Sequence, residues 1–368
     1  MANITDEVAA TAEKHPERLA VASDGHEVDY RTLWGQTGAF ASGLAEAGVE
    51  PGDRVALYLP NRPQFVVGFH GTLRAGGAVV PMNPQYKTRE IQHLLSDSGA
   101  TVVVALADLV PFVEEVREDT AVETVVTVGG ETETGVDFES FLGDPDFDTV
   151  GREDDDVACQ PYTSGTTGQP KGVLLSHENL RSNAAVSQTL APGEGIRPAD
   201  RMLGVLPLFH IYGMTVTMNA VLFAGGTYTP LPSWDVGQAM DVIESNGVTV
   251  FHGVPAMYND IVTNDAGEAD LSGLRLCGVG GSGIPEEVLR RFEELYDAEI
   301  YEGYGLTETS PVTHFNTPDT GRRVGSVGKL LPGIDARVVD EGFETVGPVS
   351  AGPVDEDDTD LDEITGEL

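Results

Sequence analysis

The eleven residues from Tyr162 to Gly172 read YTSGTTGQPKG and bring three glycines, four aliphatic hydroxyls and one lysine into one short stretch. That composition suits a phosphate. Gly165, Gly168 and Gly172 let backbone N–H groups turn toward an anion, Thr163, Ser164, Thr166 and Thr167 add hydroxyl donors, and Lys171 adds a positive charge. A polar surface turn is the plainer alternative, and the density of donors argues against it. The loop is not a Walker sequence, because Gly172 rather than Ser or Thr follows Lys171, so a P-loop ATPase or kinase is set aside. Two more stretches carry possible chemistry. Gly280-Gly281-Ser282-Gly283 follows an expected strand, and in YEGYGLTE (Tyr301 to Glu308) the Glu308 carboxylate comes after a strand and two glycines, Gly303 and Gly305. Both fall where open α/β sheets bind ligands, at the C-terminal ends of strands. Alone, Glu308 is equally a helix-start acid. His210 in PLFH and His252 in VFHGVP also follow apolar strands, where a lone histidine is as readily structural.

The elements that must hold these residues alternate. Strands are expected at Arg54 to Leu59, Ala78 to Pro81, Thr101 to Ala105 and Val122 to Val128, with helices at Thr5 to Lys14, Leu33 to Leu44, Gln64 to Arg74, Arg89 to Ser98 and Leu109 to Glu118. After a polar connection over Gly129 to Asp156 the alternation resumes. Strands Val157 to Tyr162, Met202 to Leu206, Thr227 to Leu231, Val248 to Phe251, Leu274 to Val279 and Glu299 to Glu302 enclose helices Glu178 to Gln188, Tyr212 to Phe223, Val236 to Asn246, Ala256 to Val262 and Glu286 to Tyr296. Short Val-rich runs between amphipathic helices imply an α/β fold of two doubly wound, mostly parallel sheets covered by helices. The expected division is a first unit over 1–156, a second over 157–320 and the start of a small β-rich unit over 321–368. Strands are expected there at Val324 to Lys329 and Asp335 to Val339, with an exposed apolar edge, before an acidic tail with seven acids between Asp355 and Glu363.

Charge excludes several partners. Sixty acidic against 21 basic residues give a net charge of −39, and only Lys14, Lys87, Lys171 and Lys329 are lysines. Such a chain repels phosphate backbones and anionic lipid, which argues against nucleic-acid or membrane-surface binding. With 40% hydrophobic residues it still builds a core, so the acids read as a solvated surface suited to high salt, where screening weakens self-repulsion. The expected outcome is a melting temperature that rises from millimolar to molar KCl. No run is long and apolar enough to span a bilayer, no secretory leader is recognised, and Cys159 and Cys277 lack metal or redox spacing, so a cytoplasmic location is expected.

The loop at Tyr162 to Gly172, PLFH at Pro207 to His210 and YEGYGLTE at Tyr301 to Glu308 occur in an order that resembles the adenylate-forming superfamily, which includes acyl-CoA synthetases, luciferase-like enzymes and peptide-synthetase adenylation domains. The resemblance covers most of the chain. It implies attack of a carboxylic acid on the α-phosphate of ATP to give acyl-AMP, with Mg²⁺ present, and then transfer to CoA as co-substrate. On the same resemblance Thr163, Ser164, Gly165, Thr166, Thr167, Gly168 and Lys171 grip phosphates, and Gly281, Ser282, Gly283, Glu302, Gly303, Tyr304, Gly305 and Thr307 surround the nucleotide. Tyr304 stacks on adenine, Thr307 bonds the α-phosphate, and Thr163 and Glu308 approach the metal. The catalytic set is His210, Thr307, Glu308 and Lys171, and the acyl pocket is drawn from His210, Trp234, His252, Gly253 and Gly280. Tyr212, Met214, Val254, Met257 and Tyr258 suit a hydrocarbon or aryl acid, and no acid near His210 offers an α-amino group a partner.

Relatives in this superfamily continue through a ribose-binding Asp, a hinge and a small domain carrying a catalytic lysine, whereas Gly366-Glu367-Leu368 closes the sequence where the next strand of the family opens. The expectation is therefore the large N-terminal portion of an acyl-CoA ligase for a medium- or long-chain fatty or aryl acid, left by truncation or gene disruption, or completed by a separate C-terminal chain or working as a homodimer. A non-catalytic acyl-adenylate-binding module and an adenylating enzyme that loads a carrier protein stay open as alternatives.

Overall fold

The computed structural model describes residues 3–23, 25–163, 169–264, 269–317, 321–340 and 342. Its strands form two large sheets. From edge to edge the first runs Leu175–Ser176, Val157–Cys159, Ala78–Pro81, Arg54–Tyr58, Val102–Leu106, Thr124–Val128 and Val136–Asp137. The inner strands pair in parallel and are buried on both faces, which is why they read as unbroken Val, Ala and Leu rather than as an alternating pattern. Helices Tyr30–Glu46 and Pro63–Arg74 pack together on this unit. Asp29 starts the first of them by accepting from the Thr32 N–H at 2.7 Å, and Pro63 opens the second. Their approach is close: a Cβ on Gly71 would lie 2.7 Å from the Phe40 ring.

Among the described residues the second sheet has nine strands, in the order Lys329–Leu330, Val312–Phe315, Ile300–Gly305, Leu276–Val279, Val250–Gly253, Arg201–Gly204, Thr227–Pro230, Leu19–Ser23 and His26–Asp29. Sheet membership crosses the expected boundary at 156/157. The hairpin Leu19–Ser23/His26–Asp29 comes from the first 156 residues yet joins the second sheet, with Val21 beside Tyr228, while Val157–Cys159 and Leu175–Ser176 complete the first sheet. Apolar periodicity marks a segment as a strand but carries no information about its partner. One core cluster spans both sheets, bringing Val55, Leu57 and Phe65 together with Met202, Met214 and Tyr228.

Three local expectations also change. The helix expected near Leu109 to Glu118 shrinks to Val110–Glu114 between 3₁₀ turns, with Pro111 in its first turn. Tyr212 to Phe223 is a π-helix, Tyr212–Asn219, followed by an α-turn, Ala220–Phe223. Past Gly321 the β-rich unit amounts, among the described residues, to the short strand Lys329–Leu330 on the edge of the second sheet, with Val327 40% and Leu330 36% exposed. The acidic tail and the stretch from Ser164 to Gly168 lie outside the described residues.

Candidate active site

A cavity of about 390 Å³ opens at the carboxyl ends of four neighbouring strands of the second sheet. Leu206, Pro207 and His210 come from the loop after Arg201–Gly204, Val254 follows Val250–Gly253, Gly280 and Gly281 follow Leu276–Val279, and Gly303 to Thr307 close Ile300–Gly305 and the turn after it. The π-helix adds Tyr212, Gly213 and Val216, and Pro311, Val312 and Phe315 complete the wall. A parallel sheet concentrates its loops at this end, so the position follows from topology.

Two buried asparagines fix the loops that frame the cavity, and the sequence reading named neither. The Asn61 side chain donates to the carbonyls of Gly204 at 2.7 Å and Leu206 at 2.9 Å and accepts from the Leu208 N–H at 2.8 Å, which pins the PLFH turn to the first sheet. Asn183 donates to the Val312 carbonyl at 2.9 Å and accepts from its N–H at 3.3 Å, and it also reaches the Thr309 carbonyl. It thereby holds the turn that carries Thr307 and Glu308. Their only trace in the sequence is an amide in an otherwise breaking Pro-Asn-Arg-Pro turn and another on a helix face that turns inward. Glycine matters at two walls of the cavity. A Cβ on Gly305 would stand 2.0 Å from the Pro311 carbonyl oxygen, and one on Gly213 would stand 2.5 Å from that of Pro207, so at both places backbone must meet backbone.

The lining is apolar or neutral. Among the described residues no carboxylate, lysine or arginine side chain lines it. His210 reaches solvent at the rim, yet the protein around it removes enough water to lower its imidazole pKa. Its ring leans on Phe209, with centroids 4.6 Å apart. Tyr304 lines the cavity with its ring 6.1 Å from that of His314, and Thr307 stands beside it in a 3₁₀ turn.

The sequence-expected residues divide into groups. His210, Gly280, Gly281, Gly303, Tyr304, Gly305 and Thr307 meet at the cavity, together with Tyr212 and Val254. Ser282, Gly283 and Glu308 are exposed nearby in sequence but do not line it. Trp234 is turned away: its indole N–H donates to Asp260 at 2.9 Å and its ring stacks on Phe251 at 6.4 Å. His252 is 1% exposed and lies behind Tyr212, and Gly253 is buried, so neither lines the cavity. Met214, Met257 and Tyr258 are core residues. Glu302 is also buried facing another way, accepting from the Gly325 N–H at 2.8 Å, and loss of hydration raises its pKa. Trp234, His252, Gly253 and Glu302 thus lie outside the lining of this cavity. Which way a residue near a strand end faces is set by its packing, and a motif does not say.

Of the phosphate loop the structure describes the base. Thr163 pairs with Lys171 and Tyr162 with Gly172 in an antiparallel ladder, which places the hydroxyl and the lysine on facing strands. The base is tied to helix Thr88–Ser98, through Tyr162 donating to Asp97 at 2.7 Å and a 2.8 Å hydrogen bond between the His93 ring and the Pro170 carbonyl. Ser164, Gly165, Thr166, Thr167 and Gly168 lie outside the described residues.

A fold with an uncharged cavity at the carboxyl ends of a parallel sheet, together with a hairpin base carrying Thr163 and Lys171, agrees with a family-wide comparison. Residues 8–354 match the family model described as AMP-binding enzyme. The chain belongs to that family, the adenylate-forming superfamily. It is 29% identical to a long-chain-fatty-acid–CoA ligase of Bacillus subtilis, over 94% of this chain and 67% of that protein. It is 32% identical to a feruloyl-CoA synthase of an Amycolatopsis species, over 93% of this chain and 67% of the relative. A solved structure of ATP-bound MatB from Rhodopseudomonas palustris superimposes with a TM-score of 0.86 at 29% identity, covering 95% of this chain and 68% of that one. The chain thus spans about two thirds of the length of these relatives. Among the described residues no helix is long and apolar enough to cross a membrane.

Proposed function

We propose that the chain is the acid- and nucleotide-binding part of an AMP-forming acid–CoA ligase, and that its acid is an apolar monocarboxylic acid, fatty or aryl. The single observation that carries the acid class is the cavity wall: Leu206, Ile211, Val216, Val254, Val312 and Phe315 with no charged side chain among the described residues. A second carboxylate or an ammonium group would be buried there unpaired, at a cost of several kcal/mol. Relatives named for a fatty acid and for ferulate lie at similar identity, so the choice between the two rests with this pocket.

In this reading ATP and CoA are co-substrates, Tyr304 offers its ring to adenine, and Gly280, Gly281, Gly303 and Gly305 let backbone approach the nucleotide. Thr307 faces the α-phosphate, and Thr163 with Lys171 receives the departing phosphates. His210, at the rim and with a lowered pKa, stands uncharged beside the acid and orients its carboxylate. The site also fits a magnesium ion. Among the described residues no three acidic, histidine or cysteine side chains cluster into a metal cage, whereas Glu308 is an exposed carboxylate beside Thr307. One carboxylate and a hydroxyl, with phosphates supplying the remaining oxygens, is the usual setting for Mg²⁺. Glu308 and Thr163 would hold the ion, which when bound neutralises charge on the phosphates. The two buried thiols, Cys159 and Cys277, suit a reducing, cytoplasmic setting.

The test is calorimetric titration with hydrolysis-resistant acyl-adenylates bearing alkyl, aryl, ω-carboxyalkyl and aminoacyl groups, since binding does not depend on catalysis. The expected result is binding of the alkyl and aryl compounds at least about 10-fold tighter than the charged ones, given a cost above 1.4 kcal/mol for an unpaired buried charge. Equal or tighter binding of the charged compounds would overturn the acid class.

A further inference from the structure

Behind the cavity wall lies a histidine that touches no ligand position but touches the wall itself. His252 ends strand Val250–Gly253 and is 1% exposed. Its Nδ1 shares a 3.1 Å hydrogen bond with the hydroxyl of Tyr212, and the two rings meet edge to face at 5.9 Å and 80°. Its other flank meets Phe315, with ring centroids 6.4 Å apart. Tyr212 and Phe315 both line the cavity, so a single imidazole stands against two of its aromatic walls. The niche that holds it is sequence-specific. His252 is in register with Gly278 on the neighbouring parallel strand, where a Cβ would lie 2.2 Å from Nδ1 and 2.5 Å from Cε1, closer than any real contact. In front, the Tyr212 ring lies over Gly280, where a Cβ would be 3.0 Å from Cε1. Glycine at 278 and 280 therefore makes room, in turn, for the histidine and for the tyrosine.

We infer that His252 is a positioning residue that sets the size selectivity of the acyl pocket by holding the Tyr212 ring flat against the wall. This rests on reading the cavity as the acyl pocket. A tyrosine whose hydroxyl is tied behind it presents hydrocarbon ring surface to the cavity, and its polar end has no reason to turn inward. Burial lowers the His252 pKa to about 4, so near neutral pH the imidazole is uncharged and accommodates the bond without adding charge beneath an apolar pocket. Without the bond the ring is free to change rotamer, the cavity deepens, and larger acyl groups gain access.

The experiment measures dissociation constants of hydrolysis-resistant alkyl-adenylates of increasing chain length, with AMP as the acyl-free reference, for the unaltered protein, His252→Leu, His252→Gln, Tyr212→Phe and the double variant His252→Leu/Tyr212→Phe. The expected result is that His252→Leu and Tyr212→Phe each shift the large-to-small preference toward the larger acyl group by about 3- to 10-fold, the range expected of one hydrogen bond. The double variant should shift it no further than the singles, as for two residues acting through one contact. His252→Gln, which can still bond the hydroxyl, should restore part of the selectivity, and AMP affinity should stay within about twofold, well inside the effect of one hydrogen bond. Tyr212→Phe keeps the ring, so the inference remains testable if His252→Leu fails to fold. Equal loss for every chain length and for AMP, additive effects of the two changes, or no shift at all would each overturn it. If the unaltered protein binds AMP but gains nothing from any acyl group, the pocket assignment fails and the inference fails with it.

Discussion

The two ends of the second sheet are built on opposite principles, although the same strands reach both. At the amino ends, Asp200 is 1% exposed and accepts from Arg275 through both oxygens, at 2.8 and 2.6 Å, and from the Thr249 hydroxyl at 2.9 Å. Thr249 in turn accepts from the Arg201 N–H at 3.0 Å, so one carboxylate ties together the starts of Arg201–Gly204, Val250–Gly253 and Leu276–Val279. At the carboxyl ends the loops after the same three strands frame an uncharged cavity. A buried charge is tolerated where it is fully paired, and a ligand pocket for an apolar acid is kept clear of charge. On the proposed function, the sheet pairs a buried charge at one end and keeps its recognition surface uncharged at the other.

The largest effect that would break this division is at the stabilising end. Asp200→Ala removes the carboxylate that Arg275 and Thr249 share and leaves Arg275 only the Pro192 and Gly195 carbonyls, so it is expected to destabilise the chain by about 3 kcal/mol, read as a drop in the urea midpoint. A loss no greater than that of an exposed pair such as Arg290–Glu286 would show that the ion pair does not carry the amino end.

At the recognition end the counterpart is Asn61. Asn61→Ala strips the buried carbonyls of Gly204 and Leu206 and the Leu208 N–H of their partners, for an expected cost of about 2 to 3 kcal/mol. Because these groups frame the cavity, acyl-adenylate affinity should fall as well, whereas in Asp200→Ala protein that is still folded it should not. Unchanged affinity in folded Asn61→Ala protein would remove the loop-pinning role.

Acid sharpens the contrast. Burial holds the folded-state pKa of His252 near 4, below the value of about 6.5 for an unfolded histidine. The unfolded chain therefore takes up this proton first as pH falls. The contribution is fully present above about pH 6.5 and is lost on the way down toward 4, at up to about 1.4 kcal/mol per pH unit. His252→Leu should lack this component, so the difference in unfolding free energy between it and the unaltered protein should narrow between pH 7 and 4. A constant difference would mean that His252 takes up its proton as readily in the fold as in the unfolded chain, and a widening one that it is held charged.

The smallest expected effect concerns Trp234. Trp234→Phe keeps a ring on Phe251 and loses only the hydrogen bond to Asp260, so stability should drop by about 1 kcal/mol with acyl-adenylate affinity unchanged. A change in chain-length preference would put the indole back in the pocket.

How much of this was legible in the sequence follows from the range of the interactions involved. The alternation of buried strands and amphipathic helices, the glycine turns at Gly280 and Gly303, and the positions of His210, Tyr304 and Thr307 are local properties of short segments, and the structure brings them together at one cavity. Sheet membership is not local. Nothing in Leu19–Ser23 announces a partner at Thr227–Pro230, more than 200 residues away. The same holds for Asn61 and Asn183, whose importance is a matter of the carbonyls they reach, and for Phe315, which enters the wall only because its strand turns back along Ile300–Gly305. For Trp234 and His252, side-chain direction depends on packing that residue type and spacing alone do not encode. The family match from 8 to 354 agrees with the ordered motifs, which span most of the chain.

The most direct test of the central claim is hydrogen–deuterium exchange of the chain with and without a saturating hydrolysis-resistant alkyl-adenylate. Slowed exchange is expected over three separated segments, 206–216, 279–281 and 303–315, with the amino-end segments around Asp200, Thr249 and Arg275 unchanged. Protection confined to other segments, or spread evenly over both ends of the sheet, would contradict the assignment of recognition to the carboxyl ends.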